Sequence, residues 1–82
     1  MQNLVEFMEK EVEESSLELI RHIVNVAKGY QGRISLAKLY NPMFKSNAMF
    51  AVSAVNRVNY ETLSREDRSS IDYLLEIVKP EL

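Results

Sequence analysis

The chain predicts an all-α fold: a small single-domain helical bundle of three to four principal helices plus a short helix. Three observations carry that expectation. Apolar residues recur with a helical period in four blocks, and no block shows the strict alternation of a half-buried strand. Glycine occurs only at 29 and 32 and proline only at 42 and 80, all at the ends of periodic blocks. Eighty-two residues that are 46% hydrophobic suffice for one core, so residues 1–82 read as a single helical domain.

The first block runs from about Asn3 to Lys28. Leu4, Met8, Val12, Leu19, Ile23 and Ala27 mark an apolar stripe, widened by Phe7, Ile20, Val24 and Val26. Asn3 is a candidate N-cap, and Gly29 a candidate left-handed terminator. Ser15 followed by Glu18 matches a capping box, which opens an alternative of two helices, Asn3–Glu13 and Ser16–Lys28. We favour one continuous helix, because the stripe keeps phase across the serines. Such a helix would be about 39 Å long. A spherical domain of this size has a radius of gyration of roughly 12 Å and a diameter near 30 Å. A continuous helix therefore overhangs its own domain, and its apolar end calls for a second subunit. Homodimerisation through the first helix is the expectation; a break at Ser15–Ser16 would instead allow a monomer.

After a turn at Gly29–Arg33, Ser35–Tyr40 predicts a short helix with Ser35 as its cap. Asn41-Pro42 stops it, since proline disfavours a helical conformation in the preceding residue. The next helix is expected from near Ser46 to about Asn59. It is apolar nearly all round, through Ala48, Met49, Phe50, Ala51, Val52, Ala54, Val55 and Val58, which suits the centre of a bundle. Ser46, Ser53, Asn56 and Arg57 share one narrow face flanked by Met49 and Phe50. The last helix opens at Leu63-Ser64, where Ser64 with Asp67 resembles a capping box. Ile71, Leu74, Leu75 and Val78 give it an apolar face, and Pro80 ends it.

Charge is unevenly laid out. The net charge is only −2, yet Lys28 to Arg57 carries Lys28, Arg33, Lys38, Lys45 and Arg57 with no acid, between two acidic flanks. The second half of that segment is the apolar helix, so burial accounts for much of its lack of acids. What remains as a candidate site lies around the Asn41-Pro42 turn. Arg33, Lys38, Lys45 and Arg57 supply positive charge there, and Met43, Phe44, Met49 and Phe50 supply adaptable apolar surface. A protein partner with an acidic or amphipathic surface would match it. The alternative is a nucleic-acid-binding regulator using a helix-turn-helix-like segment, 33–58. Against that alternative, Pro42 and Met43 lengthen the expected connection, and Asn56 and Arg57 fall late in the second helix, whereas groove contacts usually come early.

Other classes of function find no support in the residues. Without cysteine the chain has neither disulfides nor thiolate metal ligands. His22 is the sole histidine, with Glu18 one turn before it. A structural zinc site needs four ligands, and a di-iron helical site needs a second Glu-x-x-His motif. No metal and no cofactor is therefore expected. The serines have ready roles as caps or surface residues, and Gly29-Tyr30-Gln31-Gly32-Arg33 lacks the Lys-Ser/Thr ending of a phosphate loop. No apolar run approaches the ~18 residues of a membrane span. The acidic polar face of the first helix does not suit an anionic bilayer either. Met1–Glu9 has no basic cluster of a targeting peptide, and Lys79-Pro80-Glu81-Leu82 reads as a helix end rather than a retention signal. The expectation is a cytoplasmic, non-enzymatic interaction or regulatory (adaptor) protein that self-associates.

Overall fold

The structure, a computed structural model, describes residues 4–78, with the backbone alone at Ile34 and Lys38. The candidate cap Asn3 and the stop Pro80 lie outside the described residues. Within them the chain is all-α. Helix α1 spans Leu4–Gly29, α2 Ile34–Tyr40, α3 Phe44–Ala54 and α4 Arg65–Val78. Single 3-10 turns at Val55–Arg57 and Tyr60–Thr62 join α3 to α4.

Helix α1 runs unbroken through Ser15 and Ser16. The molecule is accordingly long, 47 × 24 × 19 Å with a radius of gyration of 13.6 Å. α1 is also the hub: α2, α3 and α4 all pack on it. Only its second half is buried, through Ser16, Leu17, Ile20, Ile23, Val24 and Ala27. These close a core with Ala37, Phe44, Ala48, Ala51, Ala54, Ile71, Leu74 and Val78. Small residues on α3 let its backbone approach α1 closely, and Ser16, itself buried, keeps the facing side of α1 equally slim.

The end of α1 differs from expectation. Gly29 is still helical, and the left-handed residues are Gln31 (φ 57) and Gly32 (φ 72). The Gly32 N–H donates to the Ala27 carbonyl at 2.8 Å and the Gln31 N–H to that of Lys28 at 2.9 Å. These are the paired bonds of a Schellman ending. A Cβ on Gly32 would come within 3.0 Å of the Tyr73 hydroxyl, so α4 sits close against this turn.

Helix starts were also misplaced. Ser35 lies inside α2, whose N-cap position is Arg33, without a side-chain capping bond. α3 starts at Phe44 rather than Ser46, and its N-cap position is Met43. The reason is burial: Phe44 goes into the core at 1% exposure, and its N–H donates to the Asn41 carbonyl at 2.9 Å. α3 is not the all-round buried centre of the bundle either. It buries Phe44, Ala48, Ala51 and Ala54 and leaves Met49 and Phe50 on the surface. The start of α4 agrees with its reading, because the Asp67 N–H donates to Ser64 Oγ at 3.2 Å.

Candidate interaction surface

The sequence-derived candidates do not form one site. Arg33, Met43, Lys45, Met49, Phe50 and Arg57 are all exposed, while the Lys38 side chain lies outside the described residues. Phe44 must be withdrawn as a surface residue, since it is one of the largest fully buried side chains. Met49 and Phe50 line a shallow groove of about 310 Å³ on the outer face of α3, between Ser46 and Ser53. Phe50 is 64% exposed there. Lys45, one turn before Met49, borders this strip. Arg57 belongs elsewhere, in a groove of about 460 Å³ with Val5, Met8, Glu9 and Val12 of α1.

That second groove brings in residues that were not among the candidates. Leu4 (72% exposed), Val5, Phe7, Met8 (56%) and Val12 are large, apolar and exposed, all on the first half of α1. The groove continues into another of about 390 Å³, along Val12, Ser15, Ser16 and Leu19 with Ala54 and Arg57 opposite. The signal for this surface was present in the helix length, and also in a seven-residue recurrence, Val5, Val12, Leu19 and Val26. Steps of four overshoot a helical turn by about 40°. The stripe read as Leu4, Met8, Val12 and onward therefore drifts around the helix. In space, the apolar face of residues 4–12 sits roughly 100° from the face that enters the core, taking 3.6 residues per turn. The overhang does not extend the domain's own core face.

Polar contacts hold the overhang's root to the body. The Arg21 guanidinium donates to both Asp67 oxygens at 2.9 Å, a two-pronged link between α1 and α4, and also meets Glu14 at 3.3 Å. These hydrogen bonds hold the Asp67 carboxyl below the usual range, against an opposing effect of partial burial. The Asn59 N–H donates to the Glu13 carboxylate at 2.9 Å. Tyr60 donates its hydroxyl to Asp72 at 3.0 Å, and this bond pushes the phenol's titration upward. None of these links was legible in the sequence, because their partners are up to 46 residues apart.

At the opposite end, Lys28 lies over the Tyr73 ring at 5.4 Å, and the Tyr30 and Tyr40 rings stack at 6.0 Å. His22 and Glu18 are both exposed, and among the described residues no group of three or more His, Cys, Asp or Glu gathers as metal ligands would. No helix of the described residues is long and apolar enough to cross a membrane. Set against protein families, curated proteins and solved structures, the chain gives no match.

Proposed function

We propose that this protein is a non-enzymatic interaction module that self-associates through the first helix. One observation carries the reading: α1 leaves Leu4, Val5, Phe7, Met8 and Val12 exposed on a helix end beside which its own domain places only Arg57 and the end of α3. A contiguous apolar surface of this kind marks an interaction site on a folded protein. The groove beside it, with Arg57 on its far wall, gives the surface the concave shape that a helix can enter. A second copy is the occupant to which the geometry leads, because a twofold dimer covers two overhangs at once and so doubles the area buried per contact. Stable interfaces bury about 1,200–2,000 Å² in total, which a single short helix end does not supply.

Sedimentation equilibrium tests this directly. The wild type should be dimeric, and Met8→Asp with Val12→Asp should be monomeric with an unchanged helical spectrum. A wild type that remains monomeric to millimolar concentration would refute self-association.

A nucleic-acid-binding regulator is the second reading, favoured by one feature. The connection between α2 and α3 is three residues, 41–43, shorter than the sequence suggested and within the range of a helix-turn-helix. Its exposed second-helix face is centred on Met49 and Phe50 rather than on polar readers, and Arg57 falls in the 3-10 turn beyond α3. Duplex binding that weakens steeply with salt and is lost in Lys45→Glu with Arg57→Glu would establish it.

A further inference from the structure

We infer that the two uncovered apolar surfaces of this protein are each other's partners in trans: the overhang of one copy lies on the outer face of α3 of the other. This rests on the self-association reading and specifies its geometry. The overhang is an acidic amphipathic helix end. Its apolar strip, Leu4, Val5, Met8 and Val12, runs between Glu9 on one side and Glu11 on the other. Residues 4–12 hold three Glu against one Lys, a net of −2.

The α3 face is the complementary object. Met49 and Phe50 form an apolar strip between Ser46 and Ser53, bordered by Lys45. Segment 29–60 has no acid, and Lys45 is the exposed base at the strip's own border. The lengths agree: at 1.5 Å per residue the overhang presents about 13 Å, and the strip from Ser46 to Ser53 about 11 Å.

Pairing two overhangs side by side would set the acids that flank one strip, Glu9 and Glu11, against those of the other. Like charges across an interface select against such a pairing. Pairing overhang with α3 face sets acid against base, and apolar strip against apolar strip. The contact is unavailable within one copy, since the overhang runs past the bundle while Met49 and Phe50 face outward from it. A twofold axis then repeats the contact, so that each copy both gives an overhang and receives one.

Mixing two impaired variants tests this arrangement. Val5→Asp with Met8→Asp removes the overhang's strip, and Met49→Asp with Phe50→Asp removes the α3 face. All four positions are exposed, so folding should survive, as circular dichroism will check. Each variant alone should be monomeric where the wild type is dimeric. An equal mixture, with one variant fluorescently labelled and followed by anisotropy, should form a one-to-one heterodimer through the single intact contact, at least tenfold weaker than the wild-type dimer. If the α3-face variant alone remains dimeric, the overhangs pair with each other, and this inference fails while self-association stands. A mixture that shows no heterodimer up to millimolar concentration also overturns it. A monomeric wild type would remove both readings together.

Discussion

The two halves of α1 are made of similar residues and meet opposite fates. Residues 16–29 bury Leu17, Ile20, Ile23, Val24 and Ala27 under three other helices. Residues 4–12 carry Leu4, Val5, Phe7, Met8 and Val12, all more than a third exposed. Hydrophobicity alone does not separate the halves; reach does. The bundle that α2, α3 and α4 make is shorter than a 26-residue helix, so whatever apolar surface lies beyond it is free for another molecule. The change of face along the helix reinforces this. Even a longer bundle built on the same core line would have left Leu4, Met8 and Val12 pointing elsewhere.

The largest expected effect sharpens that contrast. Ile23→Ala in the buried half should cost about 2–5 kcal/mol, from lost transfer energy and the cavity left behind. Met8→Ala in the overhang should change the stability of dilute, monomeric protein by less than about 0.5 kcal/mol, as exposed substitutions do. Urea denaturation measures both. At concentrations where the wild type is dimeric, Met8→Ala should lose the concentration-dependent part of the melting temperature, because dimerisation stabilises by mass action. Equal losses for the two variants in dilute protein would mean that the overhang is covered within its own chain.

Polar links as well as apolar packing hold the buried half in place. Arg21 and Asp67 join α1 to α4 within the buried half, with the Asp67 side chain mostly shielded and that of Arg21 more open. Asp67→Asn should cost about 1–2 kcal/mol, the worth of a partly shielded charged hydrogen-bond pair. The pH dependence has a definite sign. Asp67 has a lowered carboxyl pKa in the folded protein, so its stabilisation is fully present above the ordinary value near 3.9. It is lost as pH falls through the lower folded value. The gap between wild type and Asp67→Asn should therefore be constant from about pH 5 to 8 and close under acid. A gap that instead grows under acid would contradict the assigned role.

Much of the fold was legible because helical periodicity agrees with the breaks at Gly29–Arg33 and Asn41-Pro42. The helix count, the unbroken α1, the Ser64 cap and the buried face of Ile71, Leu74 and Val78 all follow from local pattern. What was illegible depended on tertiary packing. Ser35 reads as a cap and Ser46 as the start of α3, but burying Phe44 pulls that start two residues earlier and turns a candidate surface residue into core. The candidate site was half legible. Met49 and Phe50 read as surface, whereas Leu4, Met8 and Val12 read as part of one stripe with the core residues, its exposed end implying a dimer, and Val5 lies outside that stripe. Only the direction of the core face, set by where α3 and α4 pack, separates the two uses of that stripe.

The smallest expected effect lies at the buried half's own boundary. A left-handed residue was expected at Gly29, yet the chain places that conformation at Gln31, where a side chain is strained, and leaves Gly29 helical, where glycine wastes conformational entropy. Gln31→Gly should stabilise the protein by about 0.5–1 kcal/mol by relieving the left-handed strain at the Schellman ending. Gly29→Ala should add a similar amount, about 0.5–1 kcal/mol, since a Cβ there meets open space. In a domain this small each change corresponds to a rise in melting temperature of roughly 2–8 °C. Gly32→Ala is the control with the opposite sign, because it combines a left-handed backbone with a Cβ 3.0 Å from the Tyr73 hydroxyl. Neither stabilising change touches the overhang, so both should raise the melting temperature equally in dilute and concentrated samples. Separating the bundle's intrinsic stability from its association in this way distinguishes the closed half of α1 from the open one.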